Sequence, residues 1–174
     1  LQRLINHALY KATQSGSLEM IKYLIDRGAI GINESFVIAA QYGHMEVIKF
    51  FKEQREINKD TLNRAMREAA KRGDIQMIHY MKEAGGDAFQ KSMECAAFKG
   101  HIPVMILLIE WGGYDLNNGL INAVIGNQLI AVKKLIELGV KNFNEGYYHS
   151  LQNNNDKIQL VLKEAGANNY GMEI

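Results

Sequence analysis

The side chains able to do chemistry are few and scattered. Cys95 is the single cysteine, and the histidines are His7, His44, His79, His101 and His149. A cysteine nucleophile needs a base close at hand. His101 follows Cys95 in the chain, but Gly100 stands between them and turns the backbone. Cys95 therefore reads as a small, half-buried packing residue. A zinc site needs three or four ligands at characteristic spacing, and no H-E-x-x-H or paired-cysteine pattern exists here. A P-loop, a G-x-G-x-x-G fingerprint and a G-x-S-x-G elbow are absent as well. Carboxylates such as Asp26 and Glu53 are spread along what reads as a solvated face. The sequence thus predicts no catalytic residue, no metal and no cofactor.

Composition bounds the class. The 174 residues suffice for one domain with a real core, and a hydrophobic share of 47% is that of a folded protein. The 20 basic and 19 acidic residues leave a net charge of +1. That balance gives no general pull towards nucleic acid or anionic membranes. No apolar run approaches the length of a membrane-spanning helix; the longest, 102–109, carries Pro103. A lone cysteine excludes an internal disulfide and fits a reducing, intracellular setting. A chain that opens on Leu1 rather than Met is expected to be a stretch of a longer protein.

Three residue series share one register. Gly16, Gly43, Gly73, Gly100, Asn127 and Asn154 are separated by 27, 30, 27, 27 and 27 positions. Gly28, Arg55, Gly85, Gly112, Gly139 and Gly166 form the second series. The third runs Asn6, Asn33, Asn63, Gln90, Asn117, Asn144 and Gly171. Such self-similarity predicts stacked helix pairs, with units at about 6–32, 33–62, 63–89, 90–116, 117–143 and 144–170. Within each unit the third-series residue reads as an N-cap, helix A follows, and the Gly or Asn of the first series supplies a left-handed turn. Asparagine tolerates positive φ better than any residue but glycine, so Asn127 and Asn154 should adopt it. Helix B comes next, then a short connector. The connector from Arg55 to Leu62 is three residues longer and lacks the closing glycine. At the far end, Gly166–Tyr170 begins a further connector, which opens either a seventh unit or a closing remnant.

Helix A has a fixed inner face. Leu9, Phe36, Met66, Met93, Leu120 and Tyr147 recur three residues after the supposed cap, and Ala12, Ala39, Ala69, Ala96, Ala123 and Ser150 six after it. Ala8, Ser35, Ala65, Ser92, Gly119 and Gly146 recur two after it. Small residues at two positions let helices approach, and the large one fills the gap between units. Helix B supplies an i, i+1, i+4 apolar stripe, as in Met20–Ile21–Leu24 and Val47–Ile48–Phe51.

The stretch Ala39-Ala40-x-x-Gly43-His44-Met45-Glu46-Val47-Ile48-Lys49 resembles the ankyrin repeat, as do Ala96-Ala97-x-x-Gly100-His101 and Ala69-Ala70-x-x-Gly73-Asp74. The T-P-L-H-x-A signature is absent, and the period falls about six residues short of the usual 33. The missing residues lie where ankyrin repeats build a β-hairpin finger. This short form looks like the ankyrin arrays of giant DNA viruses of amoebae. The resemblance implies an all-α, ankyrin-like helical repeat solenoid of about six helix pairs, with fingers reduced or absent, forming one domain over 1–174. It also implies a structural hydrogen-bonding role for His44 and His101. These two lie two units apart, too far to share a metal at about 10 Å per helix layer. Trp111, which closes helix B of the fourth unit, is expected to pack against the next connector.

In ankyrin arrays the partner lies on the concave side, formed by helix A and the adjoining turn. The corresponding exposed positions here include Tyr42, Arg67, Lys71, Arg72, Phe98, Lys99, Ile121, Ile125 and Tyr148. Aromatic residues beside arginine are typical of interface hot spots. Arg67, Lys71 and Phe98, at matching phases of neighbouring units, are the expected centre. The implied function is that of a protein-interaction scaffold, not an enzyme; for a viral protein the partner is a host protein, met in the host cytoplasm. The alternative is nucleic-acid binding through the basic third and fourth units, disfavoured because Glu68 and Glu94 offset the charge.

Overall fold

The computed structural model describes residues 1–168. Gly171 of the third series and the continuation of the last connector lie outside the described residues. The described residues form twelve α-helices and no strand. They divide into two compact units, Leu1–Ala88 and the chain from Phe89 onward.

The first unit holds three helix pairs: α1 (Gln2–Ser15) with α2 (Leu18–Asp26), α3 (Ile32–Tyr42) with α4 (Met45–Gln54), and α5 (Lys59–Arg72) with α6 (Ile75–Glu83). The first helix of each pair packs on its own partner, and α1 packs on α3 and α3 on α5. The second unit repeats the arrangement with α7 (Phe89–Lys99), α8 (Ile102–Trp111), α9 (Leu116–Ile125), α10 (Leu129–Glu137), α11 (Asn144–Gln152) and α12 (Asp156–Glu164).

The inner face is the one expected. Phe36, Met66, Met93 and Leu120 are fully buried, as are Ala39, Ala69, Ala96, Ala123 and Ser150. A Cβ built at Gly119 would lie 3.0 Å from the Met93 sulfur, and one at Gly146 would lie 3.3 Å from Leu120. The large residue of one helix A thus rests on the small residue of the next. The helix B stripe is buried too, with two exceptions. Val161 is half-buried. Met20 is 48% exposed.

The turns after helix A also follow the reading. Gly16, Gly43, Gly73 and Gly100 have φ of 72°, 80°, 77° and 75°, and Asn127 and Asn154 have φ of 59° and 51°. Arg55, which replaces a closing glycine, is extended with φ −165°.

The third series requires a correction, because its members are not N-caps. Asn33, Gln90 and Asn117 lie one residue inside α3, α7 and α9, while Asn6 and Asn63 lie deeper inside α1 and α5. Their side-chain oxygens accept instead from the backbone N–H of a connector about 25 residues on. Asn6 accepts from Ile30 at 2.9 Å, Asn63 from Asp87 at 2.8 Å, Gln90 from Asp115 at 3.0 Å, Asn117 from Asn142 at 3.3 Å and Asn144 from Asn168 at 3.0 Å. Each ties its helix A to the connector that follows its own pair. Asn33 is the exception: the longer 55–62 connector follows its pair, and Asn33 makes no such bond among the described residues. That insertion does not loop out. It extends α5 to 14 residues against 11 in α3 and α7. Asn58 caps the extended helix by accepting from Thr61 N–H at 2.8 Å, and Ile57 is buried.

Candidate functional site

The helix A edge of the first unit is held by contacts between pairs. Lys11 donates to Gln14 Oε1 at 3.4 Å, and Gln14 Nε2 donates to the Tyr42 hydroxyl. The Tyr42 ring stacks on His44 at 6.3 Å between centroids. His44 Nε2 lies 3.0 Å from the Gln14 carbonyl. A carbonyl only accepts, so Nε2 carries the proton in this bond. The His44 ring also covers the Gly16 turn, where an added Cβ would lie 2.6 Å from Nδ1. This is a structural hydrogen-bonding role for that histidine.

The next pair solves the same problem with another residue. Asp74 stands where His44 would, but its carboxylate caps α6 by accepting from Met77 N–H at 3.0 Å. Arg72 covers the Gly43 turn instead, with its guanidinium against the glycine and Nη1 donating to the Gln41 carbonyl at 3.4 Å. Arg72 is therefore both exposed and packed on the preceding turn. Arg67 is half-buried, and Lys71 is exposed and pairs with Glu68 at 2.7 Å.

In the second unit the same register is more apolar. Ile125 and Tyr148 are 43% and 42% exposed, Phe98 and Ile121 are half-buried, and Lys99 lies over the Phe98 ring at 5.4 Å. Gln128 covers the Gly100 turn, and Asn155 donates to the Asn127 side chain. Gly126 was not anticipated as a structural residue. Its φ is an ordinary −75°, yet a Cβ there would overlap the Phe98 carbonyl. The signal was legible in that Gly126-Asn127 is the one place where a glycine precedes the turn residue.

Glu94 requires a second correction. It was read as an exposed carboxylate offsetting nearby basic residues. It is 7% exposed and is satisfied within α7, accepting from Gln90 at 3.0 Å and from Lys91 at 2.8 Å. That pairing holds the Lys91 ammonium above its usual range. Of the two carboxylates expected to offset the basic patch, only Glu68 lies partly open to solvent.

Among the described residues no three His, Cys, Asp or Glu side chains gather as a metal set, and no helix is long and apolar enough to cross a membrane. Cys95 is half-buried on α7. Trp111 packs edge-on to Phe89, the first residue of its own pair, at 5.8 Å. On the helix B side, Met45, Lys49, Gln76, His79, Tyr80 and Glu83 line an open groove of about 440 Å³ between α4 and α6. Burial there pushes the Tyr80 hydroxyl above its usual pKa.

Among solved structures, the chain is similar to the human ASB11 ankyrin repeat domain. The TM-score is 0.69 at 21% identity, over 92% of this chain and 84% of that one. The fold is ankyrin-like. At this identity the likeness speaks to architecture: an all-α ankyrin-like repeat of six helix pairs, with no strand among the described residues. No protein-family model matches the chain, and no curated protein does.

Proposed function

We propose that this chain is a non-catalytic scaffold that binds a partner protein through the exposed side of its first helices. The observation that carries the reading is the exposure of large apolar and aromatic side chains on the outer side of first helices, four to nine residues after Asn33, Asn117 and Asn144. Tyr42, Ile125 and Tyr148 stand 38–43% exposed on helices whose opposite side is fully buried. A side chain left exposed in that way loses unfavourable contact with water when a partner covers it. In the first unit the binding residues are Tyr42, Arg67, Lys71 and Arg72; in the second they are Phe98, Lys99, Ile121, Ile125 and Tyr148. The ankyrin-like fold supports the reading, since stacked helix pairs repeat such positions from one pair to the next within each unit. The short connectors and the resemblance to arrays of giant DNA viruses point to a viral protein that meets a host protein in the cytoplasm.

The test is comparative affinity capture from an amoebal lysate. The intact chain should retain one or a few proteins that are lost from a chain carrying Tyr42→Ala, Ile125→Ala and Tyr148→Ala. Equal retention by both chains would place binding elsewhere. Nucleic-acid binding through the third and fourth units is the weaker reading. The burial of Glu94 removes one objection to it, but α9 contributes no cation that could continue a path along phosphates.

A further inference from the structure

The helix A face of the first unit carries a concentration of positive charge that its second helices lack. Lys11, Arg67, Lys71 and Arg72 stand in the C-terminal halves of α1 and α5, where the carboxylate Glu68 is 22% exposed and held by Lys71. Over their whole lengths α1, α3 and α5 carry seven lysines and arginines against three carboxylates, Glu34, Asp60 and Glu68. By contrast α2, α4 and α6 together carry four lysines against five carboxylates. Two of the cations, Lys11 and Arg72, belong to one connected edge. Contacts run from Lys11 to Gln14, from Gln14 to Tyr42, and from Gln41 to Arg72, crossing the C-terminal ends of α1, α3 and α5. Arg72 meets an uncharged carbonyl there, so its charge is not neutralised by that bond.

Between the cations, the C-terminal half of α3 contributes half-buried Val37 and Ile38 and exposed Gln41 and Tyr42, with no charged residue; its one carboxylate, Glu34, stands in the first turn. A nucleic-acid strand presents phosphates at regular intervals and needs cations that recur along its path. This face offers a cluster on α5, one lysine on α1, and apolar and phenolic surface between. That pattern is complementary to a peptide whose carboxylates are grouped and whose apolar side chains alternate with them. We infer that the helix A face of the first unit receives an extended acidic segment of a partner protein. Its carboxylates meet Arg67, Lys71 and Arg72, and an apolar side chain rests against Tyr42. The inference builds on the reading of helix A as the binding side and names the chemistry of what binds there.

The experiment selects binders to the whole chain from a random displayed peptide library. It then measures fluorescein-labelled winners, and their Glu→Gln and Asp→Asn counterparts, by anisotropy. Variants are Arg67→Glu, Lys71→Glu and, on helix B, Lys49→Glu, each checked for unchanged helicity; Arg72 is left intact because it supports the Gly43 turn. Winners should be rich in Asp and Glu and weaken with added salt. They should lose about tenfold or more in affinity as neutral counterparts or on either α5 variant, and be unaffected by Lys49→Glu. Winners that lack acidic residues yet are lost on Arg67→Glu or Lys71→Glu would overturn the acidic partner and leave the helix A reading standing. Winners lost only on Lys49→Glu, or no winners at all, would overturn both. Tighter binding of a single-stranded RNA or a duplex than of any selected peptide would overturn the inference in favour of nucleic acid.

Discussion

Asn63 Oδ1 accepts from the backbone N–H of Asp87 at 2.8 Å, and also from Ala88 at 3.1 Å. One side-chain oxygen thus ties helix α5 to the connector 24 residues later. The neighbouring Asn33 makes no such bond, which provides a control within the same protein. Removing the acceptor from Asn63 leaves two backbone donors to find water, at a net cost of about 1 kcal/mol. Asn63→Ala should therefore lower the urea midpoint by that amount, and Asn6→Ala by a comparable one. Asn33→Ala should change it by a few tenths of a kcal/mol at most. Equal effects at 33 and 63 would show that the ties between helix and connector contribute nothing.

The same connector gives a pH dependence with a definite sign. Lys59 and Asn63 donate to the Asp87 side chain, and these bonds hold its carboxyl below the usual carboxylate range. A depressed folded-state pKa means that the stabilisation is fully present above the unfolded value, about 3.9, and is lost as pH falls through the folded one. Asp87→Asn removes that contribution. The variant should melt slightly below the parent at pH 7, and the difference should shrink as pH falls below the usual carboxylate range. Because Lys59 and Asp87 are both more than half exposed, salt should narrow the difference at neutral pH. Melting curves at four pH values and two salt concentrations test both statements.

Three substitutions separate backbone strain from crowding. Gly100→Val places a β-branched residue at φ 75°, where Gln128 already covers the turn, and should cost about 1–2 kcal/mol or more. Ala69→Leu should cost about 1–3 kcal/mol by overpacking a fully buried helix contact. Gly126→Ala has no strain in φ to answer for, so its cost, about 1–3 kcal/mol, reports the overlap with the Phe98 carbonyl alone. A parent-like urea midpoint for Gly126→Ala would show that α9 can shift away from Phe98 without penalty.

The parts of the fold legible in the sequence were those set by local steric rules. Positive φ at Asn127 and Asn154, and burial of the alanine column from Ala39 to Ala123, each follow from a residue type and its place in a helix. The Asn series was misread for a physical reason. An asparagine just before an apolar periodic stretch satisfies the local grammar of an N-cap, whereas its true donor lies on a connector 24 or 25 residues away. Arg72 was hidden in the same way. Its packing on Gly43 follows from Asp74 being occupied in capping α6, a substitution in one helix that shifts a duty to another. Glu94 read as exposed because its position faces outward on a bare helix; Gln90 and Lys91, one turn earlier, enclose it. Backbone conformation and burial fixed by residue type could be read directly, whereas side-chain pairing, within a helix or between pairs, could not.

The functional prediction uses the difference between side chains that support turns and side chains that do not. Arg72 and His44 each cover a glycine turn of the preceding pair, so their loss would confound binding with stability. Arg67 and Phe98 cover none of these glycine turns. Both are half-buried, on α5 and α7. Arg67→Ala and Phe98→Ala should each weaken the complex with the captured partner by about 1–3 kcal/mol, measured by calorimetry, while leaving the urea midpoint nearly unchanged. Phe98→Ala also removes the ring beneath Lys99, so some of its loss can come from a less constrained lysine. Lys99→Ala measures that share. Lys49→Ala and Lys133→Ala, both exposed on second helices, should bind as the parent does. If those two abolish binding while Arg67→Ala and Phe98→Ala do not, the partner uses the helix B side, and the open groove beside Lys49 and Tyr80 becomes the site to map.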